Sequence, residues 1–322
     1  MSKPILIVTE KFDPHADAVI EKLRERDRPF FRLNSDDFHI DYYVDLDGRD
    51  GVMSFHDRWG RSVRFPDGVH AAWHRKPREP NPPEGVTEEA ARTTIRTETI
   101  ELMSYLSCIR TIPWYNNPED NRVAQRKFPQ LRLARELGLK VPRTLVTNDP
   151  ARARTFQQDV GGDLLCKPMK EPGFTTDDEI YFIFARKVGT QEFDDNLDRI
   201  ALCPTLLQEY TPKAYELRVT IIGDKVFACR LDSQRTPGAE TDWRRVSPEK
   251  VAHSLIDLEP AVEDRLREML RLCNLRFGAF DLIVTPEDET VFLELNPNGQ
   301  WLWIELLTGA PMVDAMTDLL LS

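Results

Sequence analysis

The sequence predicts an α/β unit at its N-terminus and α+β organisation in the remainder. Two patterns carry that reading. "PILIVTEKFDPHADAVIEKLRERDRPFFRLN" gives a buried strand, a turn at Asp13-Pro14, a helix with Ala16, Ile20 and Leu23 on one side, then a second strand. Further on, "ELRVTIIGDKVFACRLD" and "FGAFDLIVTPEDETVFLEL" join apolar strands through the turns "IIGDK" and "PEDET", so these strands pair antiparallel. At 322 residues the chain has room for two or three packed units.

The elements between follow in order. The first loop, "TEKFDP", carries no GxGxxG, so a dinucleotide site there is unsupported. Alternation from Tyr42 to Phe65 around "DGRDG" predicts a hairpin. "GVHAAWHRKPREPNPPEG" is a short strand and a Pro-rich loop. The helix "TEEAARTTIRTETIELMSYLS" then shows a stripe of Ala91, Ile95, Leu102 and Leu106. "IPWYNNPED" marks a domain boundary. "NRVAQRKFPQLRLARELGLKVPRTLV" reads as helix, break at Pro129, helix, stop at Gly138, strand. Two apolar strands, "DLLCKP" and "EIYFIFARKV", flank a loop whose sole glycine is Gly173. After "TLLQEY" come the paired strands, the amphipathic helix "PAVEDRLREMLRLC" and the closing helix "PMVDAMTDLLL".

Composition narrows the function classes. A net charge of -11 argues against a general binder of nucleic-acid phosphates, so any anion must meet a local cluster of Arg and Lys. The five cysteines are scattered and form no CxxC, which excludes a zinc ribbon or disulfide framework and fits a reducing cytoplasm. No apolar run reaches signal-peptide or membrane-span character, and the six histidines show no HxxxH spacing.

The chemistry gathers at "VFLELNPNGQW". Val291, Leu293 and Leu295 alternate with Phe292, Glu294 and Asn296, so Glu294 and Asn296 share a face just before Pro297 stops the strand. A turn near Glu287 and Asp288 brings Asp281 to that face from the neighbouring strand. Three hard oxygen donors suit magnesium, which leaves its other positions to water and phosphates. Lys167 ends the apolar strand "LLCKP", and Lys127 stands at the helix break; both are candidate phosphate contacts. Arg218, among apolar neighbours in "YELRVTII", needs an anion to offset its desolvation, whether a ligand or a structural carboxylate. Arg244 and Arg245 in "DWRR" add two guanidiniums.

In this order, Lys127, "LLCKP", "LLQEY", "ELRV", "DWRR", "FDLIV" and "FLELNPNGQ" resemble the ATP-grasp ligase superfamily. Within it they resemble the ribosomal-protein glutamate ligases and, more narrowly, the graspetide synthetases that macrocyclise microviridin-like peptides. "WHRKP", "RLDSQ", "DWRR" and "NPNGQWLW" carry the narrower likeness. The resemblance covers the whole chain and implies an N-terminal pre-ATP-grasp α/β domain (1–115), a central small domain (116–207) and a C-terminal domain (208–322) carrying the metal site. It implies that Lys127 and Lys167 contact phosphates of ATP, that Gln208, Glu209 and Tyr210 line the adenine pocket, and that Glu216 binds ribose. Asp281, Glu294 and Asn296 would hold Mg2+, Arg218 would touch the transferring phosphoryl group, and Arg244 or Arg245 would hold phosphate or the substrate carboxylate. One departure from the glutamate ligases is that Val246 and "SPEKVAHSL" replace an Asn and a glycine-rich stretch.

The implied reaction activates Asp or Glu carboxylates of a ribosomally made precursor peptide as acyl phosphates and joins them to Ser or Thr hydroxyls as ω-esters, or to Lys amines as ω-amides. The expected partner is a leader plus an acidic Thr/Glu-rich core, with no nucleic acid and no membrane; the enzyme would be a cytoplasmic homodimer. Arg75 and Lys76 of "WHRKP", with Arg244 and Arg245, are the candidate readers of that acidic peptide. His74 is a candidate proton carrier, and "FTTDDEIYFIFARKV" with "QEFDDNLD" a candidate leader dock. Two other readings stay open: a glutamate-adding ligase, and a nucleotide-binding regulatory protein without catalysis.

Overall fold

A computed structural model describes residues 2–170, 173–175, 180–182 and 184–322. The chain opens with β1 (Ile5–Thr9), α1 (Pro14–Glu25) and β2 (Phe30–Asn34). Next come α2 (Phe38–Asp41), β3 (Tyr42–Asp47), β4 (Val52–Asp57), β5 (Ser62–Phe65), β6 (Ala71–His74) and α3 (Glu89–Cys108). β1 is buried throughout and lies between β2 and β6 in a parallel sheet, as an α/β opening requires. Asp13 caps α1 by accepting the N–H of His15, with Pro14 at the first helical position. The expected hairpin is there and has a third strand, in the order β3-β4-β5.

The middle of the chain holds α4 (Pro118–Ala124), α5 (Lys127–Glu136), β7 (Thr144–Thr147), α6 (Pro150–Val160), β8 (Leu164–Lys167) and β9 (Gly173–Thr175). β10 (Ile180–Phe182), β11 (Arg186–Val188), α7 (Thr190–Asn196) and β12 (Thr205–Glu209) complete it. β11, β8, β12 and β7 form an antiparallel sheet packed on Ala153, Phe193 and Ile200. Of the candidate leader dock over 174–188 and 191–198, residues 176–179 and 183 lie outside the described residues. The helix break falls at Gln125–Arg126 rather than at Pro129. Pro129 sits in the first turn of α5, where a missing N–H costs nothing because that donor has no helical acceptor.

The last part supplies β13 (Tyr215–Ile222), β14 (Lys225–Leu231), β15 (His253–Ile256), α8 (Pro260–Leu272), β16 (Phe277–Val284), β17 (Thr290–Asn296), α9 (Leu302–Thr308) and α10 (Met312–Leu321). Its antiparallel sheet runs β15-β14-β13-β16-β17. α8 buries Val262, Leu266, Met269 and Leu270 against one face of that sheet together with α5. α10 folds back onto α1, so one core joins Val19 and Leu23 to Met316 and Leu320. The five cysteines are free. Among the described residues, no helix is long and apolar enough to cross a membrane.

Candidate active site

A cleft of about 390 Å³ lies between the middle sheet and the last one. β13, β16 and β17 place Arg218, Asp281 and Glu294 in one row: Arg218 is paired with Asp281, and Asp281 with Glu294. Cross-strand partners project to the same face, so the row lines up a cation and two acids. Asn296 belongs to the next row, opposite Ala279, and its Oδ1 accepts the N–H of Asn298 at 3.1 Å. It is absent from the cleft lining.

The strict alternation read in "VFLEL" breaks at Leu293. A bulge between Asp281 and Leu282 pairs Leu282 with Phe292 and leaves Leu293 extra. Phe292 therefore turns into the core with Leu295, away from the side of Glu294 and Asn296 expected for it, and Leu293 borders the cleft.

The acids have opposite electrostatics. Burial and the neighbouring Glu294 push the Asp281 carboxyl up against the pull of Arg218, whose Nη1 donates to it at 2.6 Å. Burial also opposes ionisation of Glu294, but Lys127, Arg244 and Lys167 hold it well below the usual carboxylate range. Lys127 donates directly to Glu294, and Arg244 Nη1 lies 3.7 Å from it. Burial draws the Lys167 ammonium down to about 8, aided by the like charges of Lys127 and Arg244 and opposed by Glu294.

Lys127 arrives by a specific docking. Gln130, buried on α5, donates to the carbonyl of Leu295 at 2.7 Å and accepts the N–H of Leu295 at 2.9 Å. Its amide thus completes the ladder of the edge strand β17, and the start of α5 is set beside Glu294.

At the other end of the cleft, Gln208 donates to Thr144 Oγ1 at 2.9 Å, while its own Oε1 is buried without a protein partner. Lys187 Nζ stands 4.2 Å over the ring of Tyr210. Glu209 accepts the backbone N–H of Arg143. Glu216 is nearly buried, which raises its carboxyl, and is met by Lys213 at 2.8 Å. Lys213 also donates to the carbonyl of Thr241. Asp242 takes Arg244 in a fork, Nε to Oδ1 and Nη2 to Oδ2, each 2.9 Å.

Arg75 corrects the sequence reading. It is 1% exposed, and its guanidinium donates to Asn298 O at 2.8 Å and Gln300 Oε1 at 3.0 Å. An apolar strand end carries it inward, so it cannot meet a peptide from solvent. Lys76 beside it is exposed. Arg245 points away from the acids and donates to Ala185 O. Burial holds His74 near 4, and its Nδ1 has no partner, so it stays neutral at physiological pH.

No family model and no curated protein matches the chain. Solved structures do match. Macrocyclase MdnC bound with precursor peptide MdnA, from Microcystis aeruginosa MRC, is 27% identical with TM-score 0.86 over 99% of both chains. A Chryseobacterium gregarium RiPP-associated ATP-grasp ligase, in complex with ADP and a leader and core peptide, is 25% identical with TM-score 0.91 over 100% of this chain and 97% of its own. The chain is an ATP-grasp ligase of the graspetide-synthetase group. Macrocyclase MdnB from Microcystis aeruginosa MRC is 26% identical to this ligase with TM-score 0.79 over 99% of both chains.

In the ligase, Lys127, Lys167, Gln208, Glu209, Tyr210, Glu216, Arg244, Asp281 and Glu294 line one cleft. Arg218 stands behind Asp281. Lys213 and Asp242 escaped the sequence reading, although each pairs with a recognised residue two or three positions on, Glu216 and Arg244. Among the described residues no three His, Cys, Asp or Glu side chains are grouped to hold a metal. Of the expected magnesium ligands, Asp281 and Glu294 face the cleft and Asn296 stands one row away; two carboxylate donors beside room for a phosphate are a set that fits magnesium.

Proposed function

We propose that this ligase uses ATP and Mg2+ to close rings in a ribosomally made precursor peptide, activating Asp or Glu side-chain carboxylates and joining them to Ser or Thr hydroxyls or to Lys amines. The observation carrying this is the cleft itself: two half-buried cations, Lys127 and Lys167, and the more exposed Arg244 converge on an acid pair at one end. The other end carries the orphan acceptor of Gln208 and the Tyr210 ring. That polarity matches a nucleotide with phosphates at the acid end. The fold similarity to peptide-bound macrocyclases supplies the substrate class.

Lys127 and Lys167 would neutralise phosphate charge, and Asp281 and Glu294, with Asn296 one row on, would hold the magnesium. When bound, the metal draws negative charge off the transferring phosphoryl group. Glu216, steadied by Lys213, accepts from the ribose hydroxyls. Arg244, locked by Asp242, presents its remaining edge to the substrate carboxylate or the phosphoryl oxygens. The carboxylate attacks the γ-phosphoryl group and ADP leaves. The acyl phosphate is then attacked by the hydroxyl or amine, and phosphate departs. The residues between 1–115, 116–207 and 208–322 divide as pre-ATP-grasp, central and C-terminal domains. Lys76 remains the exposed cation of "WHRKP" for an acidic core, and the ligase works as a cytoplasmic homodimer.

The test incubates the chain with ATP, Mg2+ and short Thr- and Glu-rich peptides, drawn first from any small reading frame beside its gene. Loss of one water mass per bond is expected, and Glu294→Gln should slow it about 10²-fold or more. A gain in peptide mass with free glutamate would instead make it a glutamate-adding ligase. ATP binding without turnover on any carboxylate would make it a regulatory protein.

A further inference from the structure

The segment Asn298–Leu302, just beyond the metal strand, is gripped from two sides. From the N-terminal sheet, Arg75 donates to Asn298 O and Gln300 Oε1, and Asp13 Oδ2 stands 3.7 Å from its Nε. Asp13 is itself pinned, accepting from Thr9 Oγ1 at 2.6 Å and from the N–H of His15 at 3.1 Å. His15 Nε2 accepts the N–H groups of both Trp301 and Leu302 at 3.1 Å. From the last sheet, Arg218 donates Nη2 to Gln300 O at 3.0 Å and Nη1 to Asp281 at 2.6 Å. Between the two arginines Gly299 has no room: a Cβ there would lie 2.4 Å from Ala279 Cβ and 2.7 Å from Arg218 Nη2.

We propose that Arg75 is a positioning residue for the ligase reaction, acting through Gln300 on Arg218 and thence on Asp281. Asp13, Arg75, Gln300, Arg218 and Asp281 form one continuous polar chain from the N-terminal sheet to the acid pair. The N-terminal unit thereby takes part in catalysis although Arg75 contributes no group to the cleft. The physical reason lies in guanidinium geometry. Arg218 has one fork for two partners, so the place of Gln300 O decides how squarely its other arm meets Asp281. Gln300 is held in turn by the fork of Arg75, which reaches two oxygens of one loop at fixed separation. A lysine, with a single nitrogen, cannot hold both in that geometry. A buried guanidinium whose counter-charges are only the more distant carboxylates of Asp13 and Glu10 costs desolvation that apolar packing would avoid, so core filling alone does not account for it.

The inference rests on the ligase reading for its assay, and its second readout is independent of turnover. Full-length Arg75→Lys and Gln300→Ala are compared with wild type; Gln300 is exposed, so its truncation spares the core. Arg75→Lys is expected to lower kcat about tenfold or more at little-changed KM for ATP and peptide. It should also raise the Mg2+ concentration for half-maximal ADP binding about tenfold, with ADP affinity unaltered at saturating Mg2+. Gln300→Ala should move both quantities in the same direction, and the double variant should be no worse than Arg75→Lys alone, because the two share one path. Hydrogen exchange over 297–303 should rise in Arg75→Lys. Unchanged kcat and unchanged Mg2+ half-saturation in Gln300→Ala, or fully multiplicative effects in the double variant, would overturn the proposal. Should Arg75→Lys fail to fold, Gln300→Ala decides. Should the wild type turn over no ATP, the ligase reading falls and the Mg2+ and exchange measurements still decide the positioning role.

Discussion

Asp281 and Glu294 are direct neighbours across one strand pair, yet one carboxyl is pushed up and the other held down. The difference comes from what faces each: burial outweighs Arg218 and Arg244 at Asp281, whereas Lys127, Arg244 and Lys167 outweigh it at Glu294. Histidines give the residue scale its pH dependence. Burial holds His74 at about 4, and burial also lowers His15 and His39. Each native value lies below the unfolded value near 6.5, so the unfolded chain binds more protons in between. Stability from these groups is whole above about pH 6.5 and falls as pH drops, for His74 by up to roughly 1.4 kcal/mol per unit until about pH 4 is reached. Urea unfolding at pH 7.5, 6 and 5 should show the decline, and His74→Gln should remove one histidine's share of the slope. An unaltered slope in that variant would contradict the burial argument.

Helix α5 does its work through a single amide. Gln130 stands in for a neighbouring strand at Leu295, which covers the edge of β17 and brings Lys127 to Glu294. Gln130→Ala leaves the N–H and C=O of Leu295 unpaired near the core, at about 1–3 kcal/mol per group. The expected outcome is a lower melting temperature, together with a higher KM for ATP as Lys127 loses its anchor. A KM that stays put while stability falls would separate the docking from the site. The strands and the amphipathic helix α8 were legible because periodicity reports which side is buried. α6 was missed although Asp149, Pro150 and Gly161 mark both its ends, because its apolar stripe is thin beside its charges. The bulge at Leu293 left no sequence signal; it follows from fitting β17 against β16.

At the scale of the molecule, the closing helix completes the opening sheet. α10 buries Met312, Val313, Met316, Leu319 and Leu320 in the core it shares with α1. Fully burying such side chains contributes about 1.5–3 kcal/mol each, so five of them rival the total stability of about 5–15 kcal/mol of an ordinary domain. Removing 311–322 should therefore abolish cooperative unfolding and expose dye-binding apolar surface, seen by circular dichroism and fluorescence. A truncated chain that still melts sharply would show that the N-terminal sheet stands without it.

The sequence by itself determined the fold class and the antiparallel hairpin that sets Asp281 beside Glu294, because strand periodicity and short turns restrict which side chains share a face; Gln208, Glu209, Tyr210 and Glu216 of the cleft came from the family resemblance. Only the tertiary structure decided the rest. It turned Arg75 inward, put Lys213 and Asp242 behind Glu216 and Arg244, bulged β17 at Leu293, and joined Asp13 to Asp281 through two arginines and Gln300. Arg75–Gln300 and Arg218–Asp281 link residues far apart along the chain, whereas Lys213–Glu216 and Asp242–Arg244 lie within three residues and gain their burial only from packing. Local pattern does not encode them, since the burial and partner of each charge are set only when separate elements pack.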